Sequence, residues 1–235
     1  MQRLAVLIVF LIALCPGALG QSATGPGGLL VTPSAYFLDD KTIAVGGSFF
    51  QNEYLEYGKY EYNALAGFVS LTFLPFAELT FRYTGQMRKI LPENSNFPDR
   101  MPSARVRLIK EHDYLPAIAV GLHDFSSVKG GKARHFAASY AVASKTIEAG
   151  PIKAGIHAGY GADFFNAKHY ELLGVFGAVD LALSQAPWLS LIAEYDSRNI
   201  NIGTKLLLWE RLQLIGTLRE AKNPEASISY RITVK

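Results

Sequence analysis

Long apolar runs are missing from this chain once its first twenty residues are passed. No later segment holds the roughly 18 uninterrupted apolar residues that mark a spanning helix. Cysteine is nearly absent too: Cys15 is the only one in 235 residues. Charge is scarce, at 18% of residues, against about a quarter in an ordinary soluble domain. Few charges mean a surface that does not rely on hydration. Disorder is still excluded, because 14 Phe and 12 Tyr supply ample apolar area.

The first twenty residues stand apart. Met1 and Arg3 make a short basic start, Leu4 to Leu14 is apolar, and Ala18-Leu19-Gly20 offers small residues at the two positions a signal peptidase reads. This predicts a cleaved secretory signal over residues 1–20, with Gln21 starting the mature chain. The apolar run is too short to span a bilayer as a helix. Leu14 is not the small residue that a lipidated cysteine needs before it, so no lipid anchor is expected at Cys15. The mature chain then has no thiol chemistry. Without Arg3 its formal charge falls from +3 to +2, too even a balance to point to nucleic acid.

What the chain does have is alternation. In Ser103–Lys110, Ala104, Val106 and Leu108 fall on one face while Ser103, Arg105 and Arg107 fall on the other. Ile118, Val120 and Leu122 alternate with Ala117, Ala119, Gly121 and His123. Ile228, Tyr230, Ile232 and Val234 alternate with Ser227, Ser229, Arg231 and Thr233. A period of two held this long is a strand signal. Turn signals separate the runs, among them Phe97-Pro98-Asp99, Ala149-Gly150-Pro151 and Lys222-Asn223-Pro224. The template predicts about twelve strands. They begin near Thr42, Tyr60, Ala77, Ser103, Leu115, His135, Ile152, Leu172, Trp188, Asn199, Arg211 and Ala226. Most run about 9–11 residues, the length a tilted strand needs to cross hydrocarbon.

The expected fold is all-β, a single antiparallel barrel over residues 41–235 behind a Gly- and Pro-rich segment at 21–40. A soluble barrel hides its apolar face inside; a membrane barrel turns it outward. The other face decides between them. It mixes Ala and Gly with Glu78, Arg82, Arg105, Arg107, Lys153, Asp180, Glu194, Asp196, Lys205 and Arg231. Small residues have no purpose facing water, but inside a narrow lumen they make room and the charges can pair. The apolar face carries aromatics, Leu and Ile, as lipid contact requires. A transmembrane barrel is therefore expected, with those ten charges facing the lumen and lipid as the outer partner.

Candidate chemistry is sparse. His135 and Ser139 share a face but lie about 13 Å apart along a strand, beyond hydrogen-bond reach. No Gly-x-Ser-x-Gly elbow and no His-Glu-x-x-His spacing occurs. Gly25-Pro26-Gly27-Gly28 lacks the strand and the Gly-Lys-Ser/Thr ending of a phosphate loop. Glu194 and Asp196 share a strand face, and paired carboxylates can cleave glycosides; in a barrel wall Lys205 on the next strand is their natural partner. Trp209 and Tyr195 read as an interfacial belt. No catalytic residue, metal site or cofactor is expected. In the leader, Thr32-Pro33-Ser34 predicts a short helical turn, with Thr as cap and Pro in the first turn. That segment is expected to pack in the lumen or across its mouth and restrict passage.

Several stretches together resemble one family. Gly28-Leu29-Leu30-Val31-Thr32-Pro33-Ser34-Ala35, then Asp39-Asp40 and Ile43-Ala44-Val45-Gly46, is similar to the opening of the YjbH-like exopolysaccharide-biosynthesis outer-membrane proteins. Closer still are Arg105-Val106-Arg107-Leu108-Ile109-Lys110-Glu111, the run Leu115 to Phe125, and Ala141-Val142-Ala143-Ser144-Lys145. The resemblance covers most of residues 25–200. It implies a barrel in a Gram-negative outer membrane that assists production or export of an extracellular polysaccharide, with the polymer and export-machinery proteins as partners. It brings no catalytic residue with it. A small-solute channel and a lipid-cleaving barrel enzyme are the competing expectations.

Overall fold

The computed structural model describes residues 20–51, 63–87, 99–125, 136–164 and 171–234. All but Gly20 of the expected signal over residues 1–20, and the strand starts placed at Tyr60 and His135, lie outside them. Twelve strands form: β1 (Thr42–Phe50), β2 (Ala64–Thr72), β3 (Ala77–Gln86), β4 (Asp99–Ile109), β5 (Ala117–His123), β6 (Ala138–Ala149), β7 (Ile152–Ala162), β8 (Gly174–Leu183), β9 (Ala186–Tyr195), β10 (Ile200–Leu208), β11 (Leu212–Arg219) and β12 (Asn223–Thr233). Each pairs antiparallel with its neighbours in sequence, and β12 closes on β1 from Thr42↔Thr233 to Phe49↔Ala226. The fold is an all-β closed barrel, with no helix among the described residues.

The period of two that marks the strands also sorts their side chains. β2 alternates strictly, burying Ala64, Ala66, Phe68, Ser70 and Thr72 and exposing the residues between. The two ends of the barrel differ. One end carries the short connections 73–76, 110–116, 150–151, 184–185 and 209–211. The other carries the longer ones at 51–63, 87–98, 124–137 and 163–173, with the tight turns at 196–199 and 220–222 beside them.

Two turns depart from expectation. Lys222-Asn223-Pro224 predicts a turn, yet β12 already begins at Asn223, with Pro224 opposite Leu218. The bend falls on Glu220 and Ala221, both at φ +54. That left-handed geometry matches strand twist in a tight hairpin. Likewise β4 starts at Asp99, paired with Thr84, rather than at Ser103.

Twelve strands with ordinary spacing and tilt enclose a ring about 24 Å across at the backbone. It is not empty. Residues 20–38 run inside it, buried except for a half-buried Tyr36. The helical turn expected at Thr32-Pro33 is absent. The segment bends instead, with isolated bridges Gln21↔Gly27 and Gly28↔Pro33. The reason is competition. A helix start leaves its first amides for a cap, and here the barrel wall takes the amides of residues 30–32 itself. The apolar core lies between segment and wall. Ala23 packs with Phe50, Ala64, Ala66, Met101 and Phe136. Leu29 and Leu30 pack with Ala178, Ile192 and Ile215. Ala35 and Phe37 join Ala117, Ala119, Ala138, Tyr140, Val142, Leu172 and Phe176.

Candidate functional site

The lumen is where the polar side chains converge, and strand alternation puts them there. Arg105 on β4 lies opposite Glu78 on β3 in the ladder. Their side chains form a buried ion pair, Nε to Oε1 at 2.8 Å. Taking two charges out of water is tolerable only if every remaining donor and acceptor is met. The segment meets them. Arg105 donates to the carbonyls of Gly27, Ser34 and Tyr36, each at 2.7 Å. Glu78 accepts from Gly27 N at 2.8 Å. The guanidinium also lies 4.0 Å from the Phe37 ring centroid. Position 27 must be glycine for this: a side chain there would collide with the Arg105 guanidinium.

Across the lumen, Glu194 on β9 holds the next stretch. Its carboxylate accepts from Leu30 N at 3.1 Å, Val31 N at 2.9 Å, Thr32 N at 3.2 Å and Thr32 Oγ1 at 2.8 Å. Successive amides turned on one anion form a nest. Thr32 therefore matters, though not as a helix cap. Lys205 on β10 donates to Gly28 O at 2.6 Å. The expected Lys205 pairing with Glu194 or Asp196 is thus replaced, because the register sets Asn201 opposite Glu194 and Ser190 opposite Lys205. Gly203 leaves the space into which Leu30 seats.

A third anchor was not foreseen. Ala35 N donates to Ser144 Oγ at 2.8 Å. Ser144 meets His157 Nδ1 at 2.8 Å, and His157 Nε2 meets Asp180 Oδ1 at 2.8 Å. The Ser144 hydroxyl thus bonds both Ala35 N and His157 Nδ1, and Asp180 accepts at the far side of the ring. The order resembles a nucleophilic triad. Here, though, the hydroxyl is buried and held by the Ala35 amide, and the Tyr36 ring covers the imidazole edge-on, 5.7 Å between centroids. Sequence reasoning tested His135 and Ser139 because they share a strand. Ser144, His157 and Asp180 sit on three strands, where only ladder register reveals the contact.

At the short-turn end Tyr36 Oη donates to Glu111 Oε2 and meets Thr146 Oγ1, both at 2.7 Å. Partial burial pushes the Glu111 carboxyl upward. The Thr146 amide, the Tyr36 hydroxyl and Lys145 outweigh it and hold the group below its ordinary range.

The other charges named from the sequence are placed as follows. Asp180 is in the relay just described. Asp196 closes the β9–β10 turn, accepting from Arg198 N, Asn199 N and Asn201 Nδ2. Arg82 is buried, with its guanidinium 5.7 Å from the Phe136 ring centroid. Arg231 donates to Gln213 Oε1 at 3.0 Å. Arg107 pairs with Ala119 just before the β4–β5 register shifts; it is only half-buried and donates to Pro75 O. Lys153 is half-exposed and pairs with Glu148 at 3.4 Å. Pro33 bridges Gly28, and Ser34 offers its carbonyl to Arg105.

These features define the class: a closed twelve-stranded antiparallel barrel whose lumen is filled by its own N-terminal segment. The particular family follows from comparison. The family model described as exopolysaccharide biosynthesis protein YbjH matches residues 20–205, so the chain belongs to the YjbH family. That match begins where the segment enters the barrel and ends inside β10. No curated protein is matched by the chain.

Proposed function

We propose that the protein is an outer-membrane β-barrel accessory to exopolysaccharide biosynthesis or export. The observation that carries the membrane reading is the outer face. Val69, Val120, Ile156, Val179, Leu191 and Ile202 are all exposed around its middle. Exposed aromatics gather toward the two ends. Phe73, Phe76, Tyr114 and Trp209 lie at the short-turn end; Tyr83, Tyr160, Phe164 and Tyr195 lie at the other. An apolar band between aromatic girdles is what a bilayer selects. Closure supports it further, since lipid tolerates no unpaired strand edge. Short turns on the terminal side and long connections opposite fit a periplasmic and an outer side respectively.

The family supplies the polymer. Outer-membrane lipid is the partner of the apolar face, while the polysaccharide and export proteins are partners of the lumen and its mouths. The reading assigns the chain no catalytic role and no cofactor. A small-solute channel needs an open lumen, and this one is occupied. The test is fractionation together with a deletion strain. The protein should sediment with outer membrane, and the strain should lose surface polymer that the wild-type gene restores. Undiminished polymer would refute the role. Recovery of the protein in the soluble fraction would refute the location.

A further inference from the structure

We propose that residues 20–38 are a hinged strap, latched in the lumen by Glu194, whose release toward the short-turn end opens the barrel. This rests on the membrane-barrel part of the function above and not on the identity of the polymer.

The hinge is visible in burial and backbone. Leu38 is buried and Asp39 is exposed. Lys41 then turns at φ +56, with its amide held by Asp40 Oδ1 at 2.9 Å. Beyond that point the chain is bonded into β1, so the strap is tied covalently to the wall only here. The strap carries no strand or helix of its own. Its order comes from wall side chains reaching its backbone, such as Ser48 to Ala23 O and Ser70 to Gly25 O, both at 2.7 Å. The strap's own backbone bonds are local, such as Ser22 N to Pro26 O and Ala23 N to Leu30 O, both at 2.7 Å, so it can leave as a unit without disturbing the barrel ladder, whose hydrogen bonds run strand to strand.

Glu194 is the latch because one carboxylate gathers three consecutive amides and a hydroxyl. The Glu78–Arg105 pair is different. It also holds the strap, through three carbonyls and the Gly27 amide, but its two charges bond each other, and that ion pair remains when the strap has left. Glu194→Gln keeps the shape but turns one acceptor into an amide donor facing the strap's own donors. It should shift the strap toward release while leaving the barrel intact.

The experiment uses purified full-length mature protein bearing Ala35→Cys, a buried position with no competing thiol in the mature chain. A maleimide reports how often the strap exposes it. Adding Glu194→Gln should raise the labelling rate about tenfold. Thr32→Val, which removes only one latch bond, should raise it less and in the same direction. Both variants should keep the heat-resistant, compact gel mobility of a closed barrel. An unchanged rate in both folded variants would overturn the latch. Faster labelling beside undiminished polymer in a deletion strain would leave the strap standing and sink the polysaccharide role instead.

Discussion

The two faces of the same wall obey different rules. On β5, Ile118 and Val120 point out and Ala117 and Ala119 point in, one residue apart along one strand. The outer face asks only for apolar bulk, and any of Val, Ile, Leu or Phe serves. The inner face is more specific, because groups such as Glu78, Arg105, Ser144, Glu194 and Lys205 each meet a particular atom of the strap. Loss of one outer residue should therefore be graded by depth in lipid, and loss of one inner residue by what its partner is left without.

The largest effect should come from the inner face. Arg105→Met strands the buried Glu78 carboxylate and abandons three strap carbonyls. Removing one partner of such a pair costs about 3–5 kcal/mol. Denaturant titration in detergent should show that loss, and adding Glu78→Gln should recover part of it. A loss below about 1 kcal/mol would mean that the lumen is wet and the pair screened.

On the outer face, Val120→Arg should cost about 2–4 kcal/mol if the site lies near mid-bilayer. Measured in vesicles and again in detergent, the penalty should shrink in detergent. An equal penalty in both would argue against lipid contact. Its inner neighbour sharpens the contrast. Ala119 lies fully buried against Ala35, Phe37 and Tyr140, so Ala119→Ser buries a hydroxyl in an apolar patch, at about 1–3 kcal/mol.

The smallest effect is pH-dependent. Glu111 is held below its ordinary range when folded, so its contribution is present above the unfolded value of about 4.3 and is lost as pH falls through the folded one. Wild-type melting should therefore drop between pH 5 and 3 by more than that of Glu111→Gln. Parallel curves would show that the Tyr36 clamp does not depend on this charge.

The sequence made the outer face legible and the inner face only in part. Alternation located strands because lipid-facing and lumen-facing residues swap at every step, and it placed Glu78, Glu194 and Lys205 inward. The leader reads as packing in the lumen or across its mouth, but the sequence does not say which wall groups face it. Hence Phe68, Phe176 and Ile192, inward but apolar, break a pattern that expects polar lining. Lys205 reads as a partner of Glu194 because strand register, which sets Ser190 and not Glu194 opposite it, is not legible in sequence, and Thr32-Pro33 reads as a helix start. Local propensity was outweighed by a carboxylate 162 residues away in sequence.

The measurement that tests the account most directly is the conductance of the barrel in a planar bilayer, with and without residues 21–37. Full-length protein should insert and conduct little, because its lumen is filled. The deletion should insert as a heat-resistant barrel and conduct several-fold more, because polar groups such as Glu194, Arg105 and Lys205 would then face a water-filled passage. Equal conductance from two correctly inserted proteins would show that the strap closes nothing.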